Sequence, residues 1–169
     1  MNRIKVLSNI LSLIFVALAL LTPFVLFASG WLLYTGSYSL FGASFSACGE
    51  LIFHSFQQFV VFSLINLISS SILIFCFGTL ACLFKLYAKG LYFTKHNIIL
   101  YKRVGWTLII HFFAGILVSI LNSRLLAGPD NLNLSYVSFS DILTGLVILC
   151  ISWVFNEAHK IEEENQLTV

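Results

Sequence analysis

Eight of the nine lysines and arginines in this chain fall into three short stretches, separated by four long apolar runs. The stretches hold Arg3 and Lys5 at the start, Lys85, Lys89, Lys95, Lys102 and Arg103 in the middle, and Lys160 near the end. If all four runs cross a membrane, these stretches share one side of it and only Arg124 lies on the other. Cationic loops stay in the cytoplasm, so the sorting predicts class and orientation together. The expected fold is an all-α integral membrane protein, a four-transmembrane-helix bundle with both termini cytoplasmic. Composition agrees: a soluble domain carries about 25 % charged residues, whereas this chain has 9 %, with 59 % hydrophobic residues.

A length of 169 residues accommodates four spans of about 20 residues, which is what a hydrocarbon core of ~30 Å requires, and leaves no room for a separate soluble domain. The whole chain, 1–169, is therefore read as one membrane domain. Spans are expected at about 4–28, 59–84, 104–121 and 141–156, with outer loops at 30–58 and 122–140. A cytoplasmic hairpin tip then covers 85–103, and a cytoplasmic tail 157–169. The N-terminus resembles a secretory signal, but its apolar run exceeds the roughly 7 to 15 residues of a signal core. Phe27 also suits a cleavage site poorly, so an uncleaved first span is expected. Pro23 should kink or fray its outer end.

In the first outer loop, Trp31, Tyr34 and Tyr38 suit the headgroup belt. The loop's low charge predicts that it lies against the bilayer or folds back over the bundle. The second outer loop has the turn signal Gly128, Pro129, Asp130 and Asn131, followed over 132–139 by the period-two alternation of a short strand.

Between the second and third spans, Gly90 is the expected C′ residue of one helix, and Lys85 and Lys89 complement that helix's negative end. Thr94 is the expected N-cap of the next helix. So short a connection demands an antiparallel hairpin. Asp141 reads as the N-cap of the fourth helix, which should continue beyond residue 156. Val154, Ala158, Ile161 and Asn165 share one face of that continuation. The stripe is expected to dock on the hairpin, whose lysines would then face Glu162, Glu163 and Glu164.

No Asp, Glu, Lys or Arg is expected in mid-span, and Asn66 and His111 are the strongly polar residues there. Interhelical hydrogen bonds are the expected role for both, ahead of a ligand or proton site. His54, His96, His111 and His159 are scattered, and the single His159–Glu163 spacing fits a solvated helix face. Cys76, Cys82 and Cys150 lie in apolar runs, where cysteine acts as a small apolar residue. Cys48 falls in the outer loop, and the spacings match no zinc site. Neither a nucleophile elbow nor a P-loop is present. No catalytic residue, metal site or cofactor is expected. Direct nucleic-acid binding is not expected either, since the basic residues are few and close to the bilayer. Small residues four apart, Gly78 with Cys82 and Gly115 with Ser119, would permit close helix approach, within the bundle or along a homo-oligomer seam.

Topology, anionic lipid and the acidic tail account for most of the basic tip, and a docking surface for a protein accounts for the rest. The hairpin GLYFTKHNIILYKRVGW and the segment LTGLVILCISWVFNEAHKIEEENQLTV resemble the corresponding parts of bacterial membrane proteins grouped as domain-of-unknown-function family 2975. In that family a Gly-x-x-Phe-(Ser/Thr)-x-x-Asn pattern follows the second span, here Gly90, Phe93, Thr94 and Asn97. An acidic turn and short ending close the chain, here Glu162, Glu163, Glu164, Leu167, Thr168 and Val169. The Glu157-Ala158-His159 sequence departs from the family, which more often has a glycine there, and predicts a more rigidly helical tail.

The resemblance implies a bacterial cytoplasmic membrane protein with no established enzyme activity. It also implies a partner, because such proteins are often encoded beside a Cro-type helix-turn-helix regulator that they would hold or release. The partner-binding residues would be Lys89, Gly90, Phe93, Thr94, Asn97, Lys102, Arg103, Glu162, Glu163, Glu164, Leu167 and Val169, with Phe93 and Leu167 as apolar anchors. The alternative is a small transporter, channel or lipid-binding protein that uses the bundle interior around Asn66 and His111.

Overall fold

The computed structural model describes residues 2–35, 56–91, 94–124 and 138–167. They form four helices: α1 (Asn2–Thr35), α2 (Phe56–Ala88), α3 (Lys95–Asn122) and α4 (Phe139–Leu167). All four are long and apolar enough to cross a membrane. In hydrocarbon, backbone N–H and C=O groups find no water, so a run of such composition satisfies them internally as a helix. The expected strand falls on residues outside those described, except Ser138, which is in no element, and Phe139, which opens α4.

Each helix packs on its neighbour in sequence, α1 on α2, α2 on α3 and α3 on α4. At the α1–α2 seam, Phe15 stacks on Phe84 with ring centroids 5.5 Å apart, and Ser12 donates to the Ala81 carbonyl at 3.0 Å. The outer flank of α1 is left bare, with Leu13, Leu20 and Phe24 each 72 % exposed. Such a face suits lipid and would be costly in water. The core runs along α2 and α3, where Phe59, Phe62, Leu83, Leu100, Val104, Phe112 and Val118 are buried.

α1 continues past Pro23 to Thr35, taking Trp31 and Tyr34 out of the expected loop and into the helix. Beside the proline, Thr22 donates to the Leu18 carbonyl at 2.7 Å, the kind of side-chain hydrogen bond that lets apolar helices tolerate proline. The small-residue expectation divides. Gly115 and Ser119 are buried on α3, but a Cβ at Gly78 would meet nothing within 4 Å and Cys82 is exposed. The closest approach involves two glycines not paired in the sequence reading, Gly105 of α3 and Gly145 of α4. A Cβ on Gly145 would lie 2.9 Å from the Gly105 carbonyl oxygen, and one on Gly105 would lie 3.0 Å from the Gly145 carbonyl oxygen.

Asp141 is not the N-cap of α4. The helix opens two residues earlier, the Asp141 N–H donates to the Ser138 carbonyl at 3.0 Å, and the carboxylate reaches across to α3.

Candidate functional site

The hairpin between α2 and α3 is built by three residues of one pattern. Gly90 has φ 86°, a left-handed conformation that costs an L-residue roughly 1–2 kcal/mol. Around it, the Gly90 N–H bonds the Tyr87 carbonyl at 2.9 Å and the Leu91 N–H bonds the Leu86 carbonyl at 3.1 Å. This pair of bonds forms a Schellman closure of α2. Thr94 stands in extended backbone as N-cap of α3, its hydroxyl accepting from the Asn97 N–H. Asn97, only 1 % exposed, then donates Nδ2–H to the Leu91 carbonyl at 2.7 Å. The Gly-x-x-Phe-Thr-x-x-Asn pattern thus has a local role: stop, cap and clamp. Phe93 lies outside the described residues.

Two tyrosines placed almost symmetrically about this turn, Tyr87 and Tyr101, meet through their hydroxyls at 2.5 Å. The Tyr101 ring packs edge-on to Phe155 of α4 at 5.6 Å. Ser152, fully buried, donates to the Ile98 carbonyl at 3.2 Å. Further along, Lys95 pairs with Glu163 at 2.5 Å, and His159 approaches the same carboxylate at 3.7 Å. The tail helix therefore lies against the start of α3, as the charge pattern predicts.

It docks by a different face from the one expected. Val154 and Ile161 are 55 % and 57 % exposed, so their stripe turns away from the hairpin. The face that docks carries Gly145, Ser152, Phe155, His159 and Glu163, because the glycine contact and the Ser152 hydrogen bond fix the rotation of α4. His159, expected on a solvated face, is turned inward, its side chain 20 % exposed.

Lys89, Lys102 and Arg103 are exposed beside this junction, and the Lys5 side chain approaches Gly90. The N-terminus, the hairpin and the tail consequently share one basic end of the molecule. Glu162 is helical and Glu164 exposed, while Val169 lies outside the described residues. Leu167 ends α4.

The hydrogen bond from Lys95 holds the Glu163 carboxyl below the ordinary carboxylate range against its desolvation, with the Lys95 and His159 charges adding to the lowering. A carboxyl that ionises at lower pH in the folded state stabilises that state above its unfolded value, near pH 4, and loses this contribution as pH falls through the folded value. Acidification should therefore loosen the tail from the hairpin. Nitroxides introduced by His96→Cys and Lys160→Cys, in a chain without its native cysteines, should show a longer, broader distance at acid pH. Glu163→Gln should show that broader distance already at neutral pH.

Of the two mid-span polar residues, Asn66 is satisfied within its own helix, donating Nδ2–H to the Phe62 carbonyl at 2.8 Å. Among the described residues Asn66 makes no interhelical bond, since an i−4 carbonyl lies within reach of the short amide. His111 does bond between helices: its Nδ1 lies 2.9 Å from Asp141 Oδ2 of α4. A carboxylate alongside the middle of α3 was not expected, because the sequence set Asp141 at the outer membrane edge. Among the described residues, no group of three or more His, Cys, Asp or Glu side chains is arranged to hold a metal.

Residues 54–169 match a family model described as Protein of unknown function (DUF2975), so the match takes in α2, α3, α4, the hairpin and the tail. No curated protein and no solved structure matches the chain.

Proposed function

The chain belongs to the DUF2975 family, and from that premise we propose a non-enzymatic membrane protein that binds a cytosolic regulator, a DNA-binding helix-turn-helix protein, at its basic end. That end faces the cytoplasm in this reading, by the distribution of its cations. The supporting observation is the continuous tail helix, which runs on from its span to Leu167 and is held to α3 by the Lys95–Glu163 pair. The hairpin presents exposed Leu91 with the exposed cations Lys89, Lys102 and Arg103, and the outer face of the tail presents exposed Ile161. Apolar anchors within a polar rim are what a protein interface uses. The resemblance of hairpin and tail to a family often encoded beside such a regulator supplies the class of partner.

Purification of the full chain from native membranes in mild detergent should bring the regulator with it. A chain ending at Asn156 should lose the regulator completely while melting and eluting as the remaining bundle should. A complex that survives this truncation refutes the role of the tail.

The second reading, a small transporter, channel or lipid-binding protein, is favoured by the His111–Asp141 pair between spans. Solute or proton flux through vesicles containing the protein, absent from empty vesicles, would select it.

A further inference from the structure

We propose that His111 and Asp141 form a proton-binding site within the membrane span, open toward the end of the molecule opposite the basic one. The inference is independent of any regulator and rests on depth, partners and a difference between the two sides of the pair.

Depth comes first. His111 lies eight residues beyond Arg103 and eleven before the end of α3, or about 12 Å and about 16 Å along the helix. Both distances are near half of a ~30 Å hydrocarbon core. On α4, Asp141 is the third residue of an apolar span that runs Phe139–Ile161, so it enters from the outer end of that helix and meets His111 at 2.9 Å. Ionisable groups at such depth are costly and persist mainly for function. The His111 and Asp141 side chains are 17 % and 25 % exposed, so the pair is neither sealed in the core nor freely solvated.

The two sides of the pair differ. Toward the basic end, Gly105 and Gly145 bring the α3 and α4 backbones so close that a single Cβ would lie within 3.0 Å of the facing carbonyl. The two helices leave no room for a side chain between them there. Toward the other end, exposed Ser138 and Ser140 precede Asp141, their hydroxyls 2.6 Å apart.

The chemistry is one reversible proton transfer. A neutral imidazole donating Nδ1–H to the Asp141 carboxylate leaves the pair with one negative charge. One proton taken from water at Nε2 makes an imidazolium and a pair of no net charge. The titratable group that α2 contributes is Cys76, 3 % exposed, whose thiol lies close enough to feel the Asp141 charge. On α3 the nearest described charges are Arg103 and Arg124, and on α4 the nearest is Glu157, none within two turns of the pair.

The test uses the full chain in lipid vesicles, with ring-15N histidine for magnetic resonance and infrared detection of the carboxyl band. Protonation of the His111 ring should be accompanied by a shift of the Asp141 carboxylate band. Asp141→Asn should remove that band shift. His111→Gln should leave the carboxylate band without its pH-dependent shift. In vesicles of one orientation, a pH jump on the side opposite the basic end should drive the response faster. Independent titrations, no proton exchange, or faster response from the basic side would each overturn the proposal. Should a variant fail to fold, coincident titration and sidedness in the wild-type chain decide the question.

Discussion

Gly145→Leu should unseat α4 from α3. A Cβ at that position lies 2.9 Å from the Gly105 carbonyl oxygen, 3.0 Å from Ile109 Cγ1 and 3.3 Å from Leu108 Cβ. The first of these is backbone and cannot swing aside as a side-chain end could, so the helices must part. Parting them stretches the Ser152 bond to Ile98 and the Asp141 bond to His111. Overpacking costs about 1–3 kcal/mol where side chains can adjust, and a rigid backbone contact puts this variant at the upper end. A loss of about 3 kcal/mol lowers the melting temperature of a chain this size by about 6–12 °C. Differential scanning fluorimetry in detergent reads that change directly. Gly78→Leu is the control, since a Cβ there meets nothing within 4 Å, and its melting temperature should be unchanged. Equal behaviour of the two variants would contradict the described α3–α4 seam.

The next largest effect is expected from Asn97→Ala. Alanine keeps the N–H that the Thr94 cap accepts but loses the Nδ2 bond to the Leu91 carbonyl, leaving that carbonyl unpaired. An unmade bond at this part-buried position costs up to about 2 kcal/mol. The loss should fall mainly on the turn, because α2 and α3 retain their other seam contacts. Hydrogen exchange at the Gly90 and Leu91 amides should accelerate about 30-fold for about 2 kcal/mol, while mid-span amides remain protected. Asn97→Asp should not rescue the turn, since an ionised carboxylate has no proton to donate to Leu91. Restored protection in that variant would mean that Asn97 acts through something other than this bond.

These residues also show what the sequence makes legible. Gly90, Thr94 and the helix continuation through the tail follow from local rules, because stops, caps and periodicity depend on residues within about one turn. The four spans follow from length and apolarity, and the Lys95–Glu163 pairing from charge. Helix rotation does not follow in this way. Which face of α4 meets α3 depends on where two backbones can approach most closely. Gly105 and Gly145 carry no mutual signal across forty residues, so the Val154–Ile161 stripe was a reasonable but incorrect choice of face. Asp141 was missed for a related reason. Its residue type fits an N-cap at a membrane surface, and only the register of α4 against α3 puts it beside His111.

That register also gives α4 a mechanical property. The helix is unbroken from Phe139 to Leu167, with its tightest contact near Gly145, close to the Asp141 end. Glu163 is eighteen residues from this pivot, about 27 Å along a straight helix. A tilt of only about 10° there would swing the far end through about 5 Å, enough to separate Glu163 from Lys95. The short arm reaches the His111–Asp141 pair and the long arm ends in the tail, so a small movement at Asp141 would be magnified at Glu163.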